Sequence, residues 1–309
     1  MRKSHFSYIF IAVIVSLILS TGCNSGNKGA PTLIDNVEMT NTHGGIESFN
    51  QIYHLYPSPA EMLSVIDMEV MSFDGKLLNP VENADKYLET RSRTYMLGVY
   101  MTDLAYAALF GRHEATLDYL QVVRSLSEEI RIDKAVDGAM IENAKKNVEY
   151  LDSLYTISND AFMNILAFCD RNERSNTVVM LSAGAFTESL YLAVHLIDNY
   201  EEAGQLLQHL ADQKYTIDNF MTFAENVEQN DPNVTATIND LRGIKAIYDG
   251  IDPGTGKVSV ATEKSADDQR PKKLVIGGSG SQSQPSLTLE EFESLKAAVI
   301  ELRTKITEG

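Results

Sequence analysis

Apolar and polar residues follow one another with the spacing of α-helices along most of this chain. From about Pro59 to Asp249, apolar positions recur every three to four residues, and the two-residue alternation typical of β-strands is scarce. The breaks are short, so consecutive helices should pack antiparallel. The pattern predicts an all-α fold, an antiparallel multi-helix bundle over residues 46–250, with helices at about 84–110, 113–131, 137–157, 159–172, 177–199, 202–229 and 234–249.

A capping box marks the start of the first predicted helix. Ser58 stands three residues before Glu61, and Pro59 takes the first helical position, where its missing N–H leaves no hydrogen bond unmade. The helix is predicted to extend well beyond this box, because four apolar residues then fall on one face: Leu63, Ile66, Val70 and Phe73.

Composition changes after Gly250. Residues 251–286 contain Gly, Ser, Pro and mixed charge, which predicts a flexible linker. A short hairpin would fit within this linker, formed by Val258, Val260 and Leu274–Ile276.

Residues 287–309 predict an amphipathic C-terminal helix. It opens on a second capping box, Thr288 to Glu291, and continues with apolar residues in three-four spacing: Phe292, Leu295, Val299, Leu302 and Ile306. So narrow an apolar stripe needs a partner surface. Either the helix docks back onto its own bundle, or it pairs with another chain, by self-association or with an envelope protein.

The N-terminus predicts export and lipidation. Residues 1–22 combine Arg2 and Lys3 with an apolar segment too short to span a bilayer, followed by small residues, which is the pattern of a signal peptide. The leader resembles a bacterial lipoprotein signal, in which the next cysteine, here Cys23, receives acyl chains such as palmitate and becomes the first mature residue. Ser20 departs from the aliphatic residue usual three positions before that cysteine.

The residues after the lipidation site predict a tether. Residues 23–45 begin with a polar, glycine-containing stretch that should be flexible. More than one acyl chain gives stable anchoring, so the membrane is the first predicted partner, reached through the N-terminal lipid. The acidic cluster that often directs such proteins to the cell surface is missing, which favours the periplasmic face of the outer membrane.

Net charge excludes one class of partner. The chain carries a formal charge of −17, and loss of Arg2 and Lys3 with the leader makes it −19. A protein this acidic repels nucleic acid and anionic lipid headgroups, so neither is predicted as a direct partner. Once Cys23 is lipidated only Cys169 remains, in an apolar run that indicates a buried thiol, and no disulfide is expected.

Two predicted helices are apolar on all sides apart from one acid each. Asp103 is the only charged residue between Thr94 and Gly111, and Glu188 is the only one between Thr177 and Ile197. Both helices should therefore be central in the bundle. The acids share a context, Thr-acid-x-x-Tyr, and a glycine (Gly98 or Gly184) precedes each, which is compatible with an internal duplication.

An isolated buried carboxylate is costly, so these acids need a partner, a proton or a polar cavity. In a functional interpretation, Asp103 and Glu188 line a pocket with Tyr106, Tyr191 and His195, with further partners among Arg91, Arg93 and His54. One acid could then act as a general acid or base. In a structural interpretation, the acids form a satisfied polar contact that fixes helix register.

Sequence motifs for known chemistry are missing. The chain has no His-Glu-x-x-His, Gly-x-Ser-x-Gly, phosphate loop or Cys-x-x-Cys, and no Glu-x-x-His pair of the kind that di-iron bundles use. No catalytic residue, metal or cofactor is therefore predicted.

Three segments carry a resemblance to a known group of proteins: Tyr56–Met62, Leu97–Tyr106 and Gly184–Tyr191. They look like the signature segments of a family of uncharacterised, all-helical lipoproteins of Bacteroidetes, across about residues 46–250. The chain departs from that family at Met101 and at Phe186-Thr187. The resemblance implies a location and a fold, and no activity.

Two functions from different classes follow. The first is a lipid-anchored cell-envelope protein that binds a partner or ligand and is not an enzyme. The second is a small-molecule receptor or an enzyme that uses the pocket of Asp103 and Glu188.

Overall fold

The structure is a computed structural model, and it describes residues 58–66, 71–147, 149–228, 231–251 and 287–308. The predicted signal peptide, the lipidation site at Cys23, the tether, His54 and the hairpin lie outside the described residues. The all-α prediction is confirmed, since the described residues contain helices and no strand.

Nine α-helices and three short 3₁₀ helices make up the described chain. The 3₁₀ helices are Val81–Lys86, Asp133–Ala135 and Tyr200–Glu202. The α-helices are α1 Pro59–Leu63, α2 Thr90–Leu109, α3 His113–Glu129, α4 Gly138–Asn147, α5 Leu151–Arg171, α6 Ser175–His195, α7 Gly204–Glu228, α8 Pro232–Gly250 and α9 Leu289–Glu308.

The first helix is shorter than predicted. Its capping box forms, with the Glu61 amide donating to Ser58 Oγ and the Ser58 amide to the Glu61 carboxylate. The helix ends at Leu63, and Phe73 lies in a non-helical segment, where its ring stacks on Tyr106. The apolar spacing was therefore correct about burial of Leu63 and wrong about a continuous helix.

Two further boundaries differ from the prediction. The helix expected at 84–110 starts at Thr90, after the 3₁₀ turn of Val81–Lys86. The break expected at Ser158 falls instead near residues 149–150, and α5 runs through Ser158. Ser158 is accommodated because its hydroxyl donates to the Tyr155 carbonyl inside the same helix.

Helices α2 and α6 form the centre of the bundle, as their composition predicted. Every residue of α2 from 94 to 108 is buried, and so is every residue of α6 from 177 to 190. These two helices pack against each other more extensively than any other pair in the described chain. Their mutual contact therefore positions whatever polar groups they carry.

The α2–α6 contact depends on two glycines. A Cβ atom on Gly98 would lie 2.0 Å from the Leu181 carbonyl oxygen, and one on Gly184 would lie 1.9 Å from the Tyr95 carbonyl oxygen. At these positions each helix has only a hydrogen atom facing the backbone of the other, so the two helices pack closely. No larger residue fits either position unless the helices separate.

The C-terminal helix α9 docks onto this chain's own bundle, against α6, α8 and α2. Its capping box forms between Thr288 and Glu291. Of the predicted stripe, four residues are fully covered and Ile306 is partly buried; the four are Phe292, Leu295, Val299 and Leu302. The first of the two predicted arrangements is therefore the one that the structure adopts.

Candidate functional site

The structure brings Asp103 and Glu188 together; we call these two residues the acid pair. Asp103 comes from α2 and Glu188 from α6, both side chains are 0 % exposed, and the two carboxyl groups lie within hydrogen-bonding reach of each other. Two carboxyl groups can share a hydrogen bond only when one of them is protonated. The glycine contact of the same two helices allows this approach.

Asp103 is the member whose surroundings favour the protonated form. Burial, and after it the charge of Glu188, raises the pKa of Asp103 well above its usual value. Asp103 Oδ2 accepts a hydrogen bond from the Asn79 amide at 3.1 Å, whereas Oδ1 would have no partner if both acids were ionised. A proton on Oδ1 directed at Glu188 would satisfy both groups.

Glu188 is the ionised member, and Arg303 of α9 is its counter-ion. The Arg303 Nε lies 3.2 Å from Glu188 Oε2, and its Nη2 lies 3.2 Å from Oε1, so the guanidinium holds the carboxylate with two parallel hydrogen bonds. Burial raises the pKa of Glu188, while Arg303 and the bond from Asp103 oppose that rise. The acid pair and Arg303 together are close to neutral.

Two further groups complete the surroundings of the guanidinium. Arg303 Nη2 also donates to the Leu77 carbonyl at 3.3 Å, and its central carbon lies 4.5 Å from the centroid of the Tyr191 ring. A cation over an aromatic face is attracted by the ring electrons. The Arg303 side chain is 15 % exposed as a result.

The segment before α2 supplies a second layer of hydrogen bonds. The Asn79 side chain donates to the Tyr87 hydroxyl, which in turn donates to the Thr307 carbonyl of α9, each at 3.2 Å. The Tyr119 and Tyr100 hydroxyls donate to the Asn79 and Pro80 carbonyls. Residues from α2, α3, α6 and α9 thus converge around the acid pair, and α9 covers it.

The remaining predicted residues contribute less. Tyr191 touches the site through Arg303, and His195 packs on Tyr191, with ring centroids 4.2 Å apart and Nδ1 2.7 Å from the Tyr191 carbonyl oxygen. Tyr106 lies elsewhere, because its hydroxyl accepts from the Asp74 amide and its ring stacks on Phe73. The suggested pocket of five residues is therefore brought together only in part.

The suggested cationic partners are engaged elsewhere, and the residue that takes their role was missed. Arg91 pairs with Asp240 on α8, and Arg93 pairs with Glu129 on α3. The signal for Arg303 was available, since position 303 follows Val299 by four residues and so falls on the apolar stripe of α9. A cation on a stripe that is otherwise apolar indicates a buried acid opposite.

The cavity that most resembles a binding pocket is not lined by Asp103 or Glu188. A cavity of about 10 Å³, large enough for about one water molecule, lies between α1, α5, α6 and α7 and is lined by Ser182, whose buried hydroxyl has no hydrogen-bond partner. Its other lining residues are Met62, Phe162, Ala185, Phe186, Thr216 and Phe220. Within the described ranges, no group of three or more metal-ligating acids, histidines or cysteines occurs.

One described helix, Ser175–His195, is long and apolar enough to cross a membrane. Of its most apolar 18-residue window, 94 % is buried inside the bundle. A central core helix has the same composition, and the packing of α6 against α2 accounts for it here.

Chemically, the acid pair can hold one proton and one monovalent cation of planar, fork-like shape. It is closed to solvent while α9 is in place. No protein-family model, curated protein or solved structure matches this chain.

Proposed function

We propose that this chain is a lipid-anchored protein of the cell envelope, on the periplasmic face of the outer membrane, and that its helical bundle is a non-enzymatic binding module. The leader and Cys23 support the anchor. The observation that carries the second part is that both carboxyl groups are 0 % exposed and that Glu188 is already paired with Arg303. An acid that serves catalysis must reach its substrate.

Replacement of Cys23 tests the anchor. Cys23→Ala removes the acyl-accepting thiol, so the protein should lose incorporation of labelled palmitate. Cys169→Ala is the matched control, because Cys169 is a buried core thiol and its loss should leave labelling unchanged. Equal labelling of the Cys23→Ala and wild-type chains would refute lipidation at this residue.

Crosslinking in intact cells tests the binding role. The anchored chain should give a reproducible adduct, and the purified mature chain should then bind the same partner directly. The Cys23→Ala chain, which has the same bundle but no anchor, should give less of that adduct. No adduct from the anchored chain would count against a binding module.

The convergence of the two acids favours a second candidate, a small-molecule receptor or enzyme that uses them after α9 moves aside. Asp103→Asn combined with Glu188→Gln separates the two cases. A loss of stability with unchanged partner binding supports a structural role for the acids. Loss of ligand binding or turnover in a chain that remains folded supports the second candidate.

A further inference from the structure

The surroundings of Arg303 have the composition of a complete guanidinium site. Glu188 offers two oxygens to the fork, the Leu77 carbonyl accepts a third hydrogen bond, and the Tyr191 ring covers one face. Asp103 is buried beside Glu188 in surroundings that favour its protonated form, so the pair presents one net negative charge to one positive charge. Guanidinium fits this arrangement better than ammonium, which is a point charge without a planar fork.

Arg303, which occupies this site, belongs to a helix that a long segment of chain connects to the rest of the bundle. Helix α9 has its own capping box at Thr288 and Glu291, and 35 residues of chain, 252–286, connect it to the end of α8. It contacts the bundle through one apolar stripe, two cations, Arg303 on Glu188 and Lys305 on Asp240, and the Thr307 carbonyl, which accepts from the Tyr87 hydroxyl. This is the pattern of an amphipathic helix bound in a groove by anchors spaced three and four residues apart.

We propose that the groove between α6, α8 and α2 is a binding site for an arginine-bearing amphipathic helix, and that α9 is its resident ligand, which a helix of the same chemistry can replace. The proposal rests on the binding role proposed above and names the class of partner. Specificity comes from the arginine, which must reach Glu188 at the position that follows the apolar residue equivalent to Leu302. Displacement of α9 exposes Glu188 to the incoming guanidinium.

The two cations of α9 make a matched comparison. Arg303 is 15 % exposed and binds a fully buried carboxylate, whereas the Lys305 side chain is 66 % exposed and its partner Asp240 is also paired with Arg91. Removal of one partner from a buried charged pair weakens binding far more than removal of an exposed one. The groove should therefore bind a helix that lacks Arg303 much more weakly than one that has it, whereas loss of Lys305 should change binding little.

The test uses the complete mature chain carrying a protease site inserted within residues 252–286, so that cleavage leaves every element present. After cleavage, α9 should stay bound and exchange with a labelled synthetic peptide of residues 287–309. A peptide with Arg303→Ala should compete at least about 30-fold less well than the unaltered peptide. The Lys305→Ala peptide should compete within about fivefold of it.

A second measurement does not depend on exchange. In the uncut Arg303→Ala chain, methylguanidinium should raise the Tm by about 3–6 °C at ten times its Kd, and methylammonium should not. Equal competition by the Arg303→Ala peptide, failure of any peptide to replace α9, or equal effects of the two cations would each overturn the proposal. Both measurements use lipid-free protein, so their failure is distinct from failure of the anchor or of crosslinking.

Discussion

The contact between α2 and α6 has two parts that are built on opposite principles. Around Gly98 and Gly184 the helices approach because side chains are missing, and no charge is involved. Around Asp103 and Glu188, five and four residues further along, the helices bring together groups that repel unless a proton and Arg303 are added. The first part is complete within two helices, whereas the second requires a residue from the end of the chain.

This difference separates shape from charge as sources of stability. Packing of backbone on backbone is insensitive to pH, whereas a buried pair of acids depends on proton uptake. The glycine contact should therefore determine whether the bundle forms at all. The acid pair should determine where α9 is held and how stability varies with pH.

The largest expected effect is on the glycine contact. Gly98→Ala places a Cβ atom 2.0 Å from the Leu181 carbonyl oxygen, so the helices must separate. We expect the free energy of unfolding of the mature chain, measured in urea, to fall by about 4 kcal/mol or more. Gly243→Ala is the control, because a Cβ atom there meets nothing within 4 Å. It should stabilise helix α8 by about 0.5–1 kcal/mol.

The next effect concerns the charge of Glu188. Glu188→Gln removes the carboxylate that pairs with the Arg303 side chain, which is only 15 % exposed, and should lower the free energy of unfolding by about 3 kcal/mol. Glu293→Gln, on the exposed side of α9, should change it by less than about 0.5 kcal/mol. If the two substitutions had equal effects, Arg303 would not depend on Glu188.

A smaller, pH-dependent effect is expected at Asp103. A carboxyl group whose pKa is raised on folding stabilises the protein below its unfolded pKa, and this contribution is lost as the pH rises towards its folded pKa. Asn resembles the protonated acid and does not titrate. Asp103→Asn should thus be at least as stable as wild type at pH 7. The difference in the free energy of unfolding between the two chains should shrink towards pH 4 by up to about 1.4 kcal/mol per pH unit.

Unfolding of both chains in urea between pH 4 and pH 8 measures this gap. The Glu188→Gln chain shows whether the same trend follows the partner acid, since the two groups titrate as a pair. A gap that widens towards acid would mean that Asp103 is ionised in the folded protein, contrary to the shared proton.

The smallest effect is expected at Lys305. Its side chain is 66 % exposed, so its ion pair with Asp240 is weakened by solvent. Lys305→Ala should change the free energy of unfolding by about 0–1 kcal/mol, measured in urea at low salt. A loss as large as that from Glu188→Gln would show that exposed charge, and not the buried pair, holds α9.

The central helices and their two acids could be predicted from the sequence because those features are local. A single acid in an otherwise uncharged helix indicates burial, which predicted that both helices are central in the bundle. The sequence does not reveal Arg303 as the partner so readily, because it lies 115 residues from Glu188 along the chain. Only the docking of α9 decides which basic residue reaches the acids.

Two of the three wrong helix boundaries have a related physical reason. Phe73 continues the apolar spacing of the first helix, but it lies in a non-helical segment, from which its ring stacks on Tyr106. Its partial burial therefore did not require a helix. Ser158 resembles a helix break, but its hydroxyl is satisfied by the carbonyl of Tyr155. Local pattern specifies which side chains are buried more reliably than the backbone conformation that buries them.

Amide hydrogen exchange in α9 tests the central claim, that the acid pair holds the C-terminal helix in place through Arg303. In the Glu188→Gln chain, protection of the amides of residues 293–308 should fall towards that of a free helix, while α2 and α6 remain protected. In the Asp103→Asn chain, α9 should keep its protection. Loss of protection in α2 and α6 with α9 unaffected would contradict the account.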